Sequence, residues 1–254
     1  MVSKPMTRSM GNMVRQREFN LGVLPAPTAD IGVSFGGTHE LDGLGGKFEW
    51  DLFAVRGFQG NESGLFSVPV GPNFNTSRSI SEDNNSEPSF GAHLRFTAAN
   101  LSLGLAWTGG NYNADGNRRY DIAIADAQYQ LGSLRVNAEV AWANTEYSSG
   151  NGGKERFDKL AYWLQLAYPV MDGLEAVAAI DGMGVGGIRL GPSGPGEAQP
   201  PGQGTDESNQ VTRFAIGGVY TTEDQLRFKA NIEYWEFSDF PDTIVLQLGV
   251  TWSF

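Results

Sequence analysis

The sequence predicts an all-β fold, a transmembrane antiparallel up-and-down β-barrel of about 12 strands, and three observations predict it. Apolar residues recur at every second position in segment after segment, the period at which successive side chains of a strand point to opposite faces. The connections between these segments alternate between tight and long, as in a barrel with short turns at one membrane surface and longer loops at the other. No apolar run approaches the roughly 18 residues a membrane helix needs, whereas a barrel strand needs only about 9–11, half of them polar. A mean hydropathy of -0.28 is compatible with such a barrel.

Residues 1–14 read as an N-terminal arm, and "QREFNLGVL" at 16–24 as a candidate twelfth strand or a continuation of that arm. A weaker strand follows at about 30–37. "KFEWDLFAV" then sets Phe48, Trp50, Leu52 and Ala54 against Lys47, Glu49, Asp51 and Phe53. A long outer loop at about 59–89 leads to a strand at 90–98. "LSLGLAWTG" aligns Leu101, Leu103, Leu105 and Trp107 against Ser102, Gly104, Ala106 and Thr108, and a weaker strand covers 120–131. "LRVNAEVAW" aligns Leu134, Val136, Ala138, Val140 and Trp142, and "LAYWLQLAY" aligns Leu160, Tyr162, Leu164, Leu166 and Tyr168. Weaker strands at 174–185 and 211–222 flank a second long outer loop at 188–210. "QLRFKANIEYWEF" sets Leu226, Phe228, Ala230, Ile232 and Tyr234 against Arg227, Lys229, Asn231 and Glu233. In the last segment Ile244, Leu246, Leu248, Val250, Trp252 and Phe254 share one face.

The tight connections are "AAN", "GS", "PVMDG" and "TTED"; the long ones include "NADGNRR", "SSGNGGKERF", the loop at about 59–89 and the Gly/Pro-rich loop at 188–210, with "FPD" the one short member of that series. An even strand count puts both termini on one side. With "FPD" outside, the last strand runs inward and Phe254 ends at the inner interface. Trp107, Trp142, Tyr168, Tyr234, Trp252 and Phe254 are then expected in aromatic girdles at the headgroup level. The whole chain, 1–254, reads as one domain.

Composition excludes several classes. Without cysteine the chain has no disulfide framework, thiolate metal site or cysteine nucleophile. A net charge of -11 argues against nucleic acid, whose phosphates demand a basic face. The opening "MVSKPMTRSMGN" has basic residues but no apolar core of a signal peptide.

The stretches "MTRSMGNMVRQREFNLGVLP", "ADIGVSFGG", "LFAVRGFQG", "IAIADAQYQLGSLRVNAEVAW", "RFAIGGVYTTEDQLRFKANIEYW" and "TIVLQLGVTWSF" together resemble the phosphate-selective porin O/P family and its less specialised porin relatives. The resemblance implies a trimeric, sixteen-stranded channel of the bacterial outer membrane for small anions or general solutes. In that family the matching region begins well inside the sequence, whereas here it begins near residue 6. A terminal aromatic such as Phe254 also resembles the signal read by the outer-membrane assembly machinery.

The polar faces of the strands are the expected pore lining: Lys47, Glu49, Asp51, His93, Arg95, Asp126, Arg135, Glu139, Arg213, Arg227, Lys229 and Glu233, with Glu175 and Asp181. A lipid-facing Arg or Lys near the midplane would cost roughly 2–4 kcal/mol, and these strands avoid it at most positions. The inward set is nearly balanced in sign. Arg95, Arg135, Arg213, Arg227 and Lys229 read either as an anion track or as cations paired across strands; the paired reading is favoured. The acidic "SISEDNNSE" of the first long loop reads as a solvated segment or one that meets divalent cations or lipopolysaccharide.

Other motifs are weak. "GMGVGG" at 182–187 has G-x-G-x-x-G spacing, but "IRLGPSGPGEAQPPG" after it cannot supply the helix a dinucleotide site needs. Only His39 and His93 are available for acid–base work, and His93 with Ser102 on a neighbouring strand is the one hydrolase-like pairing. Glu49 and Asp51 mark wall polarity rather than paired catalytic carboxylates. No metal site or cofactor is expected. The reading is an outer-membrane diffusion channel, not an enzyme, whose partners are membrane lipid, lipopolysaccharide, small solutes or ions, the assembly machinery and, as a homotrimer, its own copies. The alternative is a non-conducting scaffold barrel filled by its loops or a partner protein.

Overall fold

A computed structural model describes residues 31–57, 60–61, 73–74, 87–148, 154–185, 189–190, 198–199, 209–222, 226–238 and 241–252. The arm at 1–14, the candidate strand at 16–24, Phe254 and most of the two long loops lie outside the described residues.

Eleven strands form one sheet: β1 (Gly32–Leu41), β2 (Gly46–Val55), β3 (Ser89–Ala98), β4 (Leu101–Asn111), β5 (Arg119–Leu131), β6 (Leu134–Ser148), β7 (Lys154–Met171), β8 (Leu174–Val185), β9 (Asn209–Thr221), β10 (Leu226–Phe237) and β11 (Thr243–Trp252). Their spatial order is their chain order, and every neighbouring pair is antiparallel. The architecture is therefore an antiparallel up-and-down meander; β1 and β11 are its two ends, and the sheet is not closed between them. Two-residue pairings lie within the long loops, 60–61 with 73–74 and 189–190 with 198–199.

Connection length sorts by end. Residues 42–45, 99–100, 132–133, 172–173 and 222–225 join strands at one end; 56–88, 112–118, 149–153, 186–208 and 238–242 join them at the other. Two of the tight turns depend on the left-handed backbone that glycine adopts without strain, at Gly132 (φ 56°) and Gly173 (φ 76°).

Three strands, β1, β6 and β7, run beyond the sequence expectation. β1 runs on to Leu41, where a 3₁₀ turn at Asp42–Leu44 reverses it into β2. β6 and β7 extend through what reads as a loop, because polar cross-strand pairs continue the ladder beyond the last apolar residue. Asn144 Nδ2 donates to Asp158 Oδ1 at 2.7 Å, and Arg156 Nη2 donates to Glu146 Oε1 at 2.7 Å.

The two faces are inverted relative to a water-soluble sheet. Arg213, Glu233 and Asp181 are each 1% exposed, whereas Ile244, Leu248 and Trp252 are 72%, 71% and 65% exposed. Register makes the exposed set continuous. Leu246 of β11 lies opposite Ile232 of β10, which lies opposite Ile216 of β9, and the same face carries Leu164 and Leu166 on β7 and Leu103 and Leu105 on β4. Burying one such side chain gains ~1.5–3 kcal/mol, so a contiguous apolar face of this extent marks a surface that meets something other than water.

Candidate functional site

All twelve expected lining residues fall on the covered face. Five of them, Glu49, Arg95, Asp126, Glu139 and Arg213, share one transverse row of directly paired positions with Thr38, Gly104, Trp163, Asp181, Trp235 and Thr243. Lys47, Asp51, His93, Arg135, Arg227, Lys229 and Glu233 occupy flanking rows of that face.

Charges in this row reach one another across intervening strands wherever the middle strand is small. Arg95 on β3 donates from Nη2 to Asp126 Oδ2 on β5 at 3.4 Å, passing over Gly104 of β4. A Cβ at Gly104 would collide with that carboxylate oxygen and lie 3.1 Å from Arg95 Nη2. Arg135 on β6 likewise meets Glu175 on β8, past β7.

Most heavily buried is the cluster around Arg213. Its Nε donates to Asp181 Oδ1 at 2.9 Å and its Nη1 to Glu233 Oε1 at 3.4 Å, while Nη2 bonds the second oxygen of Asp181. The Trp235 ring centroid lies 5.3 Å from the guanidinium carbon, adding a cation–π contact. Glu233 accepts further bonds from Asn231 Nδ2 (2.8 Å), Trp235 Nε1 (2.9 Å) and Gln247 Nε2 (3.4 Å). A desolvated carboxylate needs such saturation, since an unpaired buried charge is costly. One arginine and two carboxylates thus tie β8, β9, β10 and β11 together.

The five cations divide. Arg95, Arg135 and Arg213 are paired with carboxylates, as the paired reading expects. Arg227 and Lys229 have no ion pair or hydrogen bond among the described residues, and they stand two residues apart at the tight-turn end of β10, opposite Thr251 and Gly249. Lys47 pairs with Glu49 at 3.1 Å, and His93 Nδ1 lies 3.6 Å from Asp51.

The hydrolase-like pairing is not formed. Ser102 Oγ accepts from Arg95 Nη1 at 3.1 Å, and its strand partner is Thr97, whereas His93 lies opposite Ala106. Gly182 and Gly184 sit in extended β8 paired on both sides. Among the described residues no group of three His, Asp or Glu is placed to hold a metal ion.

The covered face is not uniformly polar. One row nearer the long connections, it carries Ala106, Ile124, Ala141, Ala161, Met183 and Val211, packed with Tyr112, Tyr120, Ile122 and Trp235. This apolar band was missed because "YDIAIADAQYQL" is apolar on both faces. The usable signal is size: the bulky Ile122 and Ile124 turn inward, and Ala123 and Ala125 outward.

On the exposed face, Trp107, Trp142 and Tyr234 lie toward the long connections, and Tyr168 and Trp252 toward the tight turns. Beyond Trp142 this face becomes charged. Arg156 Nε and Nη2 donate to Glu146 Oε1 (3.2 and 2.7 Å), the Arg119 backbone N–H donates to Oε2 (3.1 Å), and Lys154 Nζ lies 3.7 Å from Oε2. Burial works against ionisation of Glu146, but these donors and Lys154 outweigh it and hold the carboxyl below the usual carboxylate range.

No known protein-family model matches the chain, and no curated protein matches it. Among solved structures the chain is similar to the anion-selective porin from Comamonas acidovorans, with a TM-score of 0.47 and 14% identity over 86% of this chain and 52% of that one. The chain thus spans about half the length of that porin.

Proposed function

We propose that the chain is a β-barrel of the bacterial outer membrane that passes small hydrophilic solutes or ions, among them anions such as phosphate, by steric and electrostatic filtering and without chemistry. The observation that carries this reading is the inversion of the two faces, apolar where exposed and charged where covered. Only in a membrane does that arrangement bury apolar surface on the outside while keeping polar side chains on a shared inner wall. Sorted connection lengths and the resemblance to the porin O/P family support it further. In this reading Phe254 is the assembly signal, lipid and lipopolysaccharide contact the exposed face, and the functional unit is a homotrimer.

On the inner wall the paired cations neutralise nearby carboxylates, leaving Arg227 and Lys229 to set a local positive field at the tight-turn mouth. Single-channel recording in a planar bilayer under a salt gradient tests the proposal: stepwise conductance with an anion-favouring reversal potential is expected. A folded, inserted barrel without conductance supports the second reading, a non-conducting scaffold. The inward apolar band of Ile124, Met183 and Val211 favours that reading, since a packed apolar lumen excludes ions.

A further inference from the structure

We infer that Asp51 on β2 and His93 on β3 are the specificity-determining pair that sets how strongly the pore favours anions. Asp51 opposes anions while the imidazole is neutral, and protonated His93 cancels that opposition. The inference rests on the reading that the covered face lines a conducting pore.

Register isolates the pair. A row of directly opposed inner positions runs from Gly36 on β1 to Phe237 on β10, and Asp51 and His93 are the two ionisable residues among them. The other members are glycine, alanine, isoleucine, methionine, valine and phenylalanine, because this row carries the apolar band. Any charge that an ion meets from this row therefore comes from one carboxylate and one imidazole.

The carboxylate is placed by what flanks it. On the β1 side its partner is Gly36, where a Cβ would collide with Asp51 Oδ1, so the carboxylate lies over bare backbone. On the β3 side Asp51 Oδ2 lies 3.6 Å from His93 Nδ1, and the two side chains stay open to water, 56% and 28% exposed. Protons and permeant ions can reach both.

The charges around His93 otherwise cancel. From β2 it faces Asp51 directly and Glu49 diagonally, and Glu49 is held by Lys47 at 3.1 Å. From β4 it faces Ala106, with Gly104 and Thr108 on the diagonals, none of them charged. Arg95, two residues along β3, is committed to Ser102 and to Asp126 of β5. The next row toward the long connections carries Lys159, on β7 four strands away. The neighbourhood thus has one excess negative charge when His93 is neutral and none when it is protonated. Asp126, Glu175, Asp181 and Glu233 are held by arginines, which keep their charge at every physiological pH. Asp51 instead faces the one side-chain type whose charge ordinarily changes between about pH 5 and 8.

The test records the full chain in planar bilayers under a potassium chloride gradient at about pH 7.5 and about pH 5.5, on either side of the histidine range. The wild-type reversal potential should move toward anions in acid. The anion-to-cation permeability ratio is expected to rise up to about fivefold, the effect of one unit charge about 4 Å from an ion in a water-like dielectric. His93→Gln should abolish the response and hold the ratio at the wild-type value for the higher pH. Asp51→Asn should show, already at the higher pH, the ratio that the wild type reaches only in acid. Should one variant fail to insert, the other decides.

An acid response in His93→Gln as large as in the wild type overturns the proposal. So does an Asp51→Asn ratio equal to wild type at the higher pH. A conducting wild type whose reversal potential ignores pH overturns this assignment alone; absence of conductance at both pH values overturns the channel reading together with it.

Discussion

Replacing Arg213 with methionine removes the cation that bridges Asp181 and Glu233, both 1% exposed. The two carboxylates then share a water-poor pocket without their bridging guanidinium, and the Trp235 ring loses its cation–π contact. Removing one partner of a buried pair costs ~3–5 kcal/mol, most of it the penalty of leaving the other charge unpaired. A whole domain has only ~5–15 kcal/mol to lose, so the effect is large. The assay is urea unfolding in detergent micelles followed by tryptophan fluorescence, with Trp235 in the affected site. Adding Asp181→Asn and Glu233→Gln to Arg213→Met removes the stranded charges and is expected to recover most of the loss. If Arg213→Met unfolds within ~0.5 kcal/mol of wild type, the range of an ordinary surface change, water already screens the cluster and its treatment as a dry ion triad is wrong.

Three further outcomes follow from the same wall. Gly104→Val blocks the path of Arg95 to Asp126 and is expected to cost about 1–3 kcal/mol through overpacking, measured by the same unfolding assay; a neutral result shows that the bridge passes elsewhere. Because the Glu146 carboxyl is held below its usual range, its contribution is present at neutral pH and is lost as pH falls below the unfolded carboxylate range through the folded value. Protection factors at the β6–β7 end, referred to the intrinsic exchange rate at each pH, should therefore fall in acid in the wild type and lose that pH dependence in Glu146→Gln; an identical acid response in both refutes the assignment. Arg227→Gln with Lys229→Gln should move the reversal potential toward cations more than Arg95→Gln does, since Arg95 is already neutralised by Asp126; equal shifts would show that pairing does not set the field.

The fold was legible because its faces and turns obey local rules. Ile244 through Trp252 alternate so cleanly that the strand and its exposed face follow from period 2 alone, and Asp172–Gly173 and Gly132–Ser133 announce tight turns by residue type. Segments held by polar pairs were less visible. His39 and Glu40 extend β1, and Lys154 and Arg156 extend β7, through cross-strand partners that a count of apolar residues does not register. The site was legible as a list of inward residues but not as a network. Arg95 and Asp126 are 31 positions apart, and their contact depends on Gly104 lying between them, a fact of register rather than of composition. The strand from Arg119 to Leu131 was the hardest to read. Its inward isoleucines and outward alanines are both apolar, so only their difference in volume tells the faces apart.

The most direct test of the central claim, that one face meets lipid and the other water, uses the absence of cysteine from the chain. Single cysteines placed in turn from Ile244 to Thr251, in protein reconstituted into bilayers, are challenged with a membrane-impermeant maleimide. Labelling at 245, 247, 249 and 251, with protection at 244, 246, 248 and 250, is the predicted pattern. Uniform labelling along β11, or protection of the odd positions instead, contradicts the account.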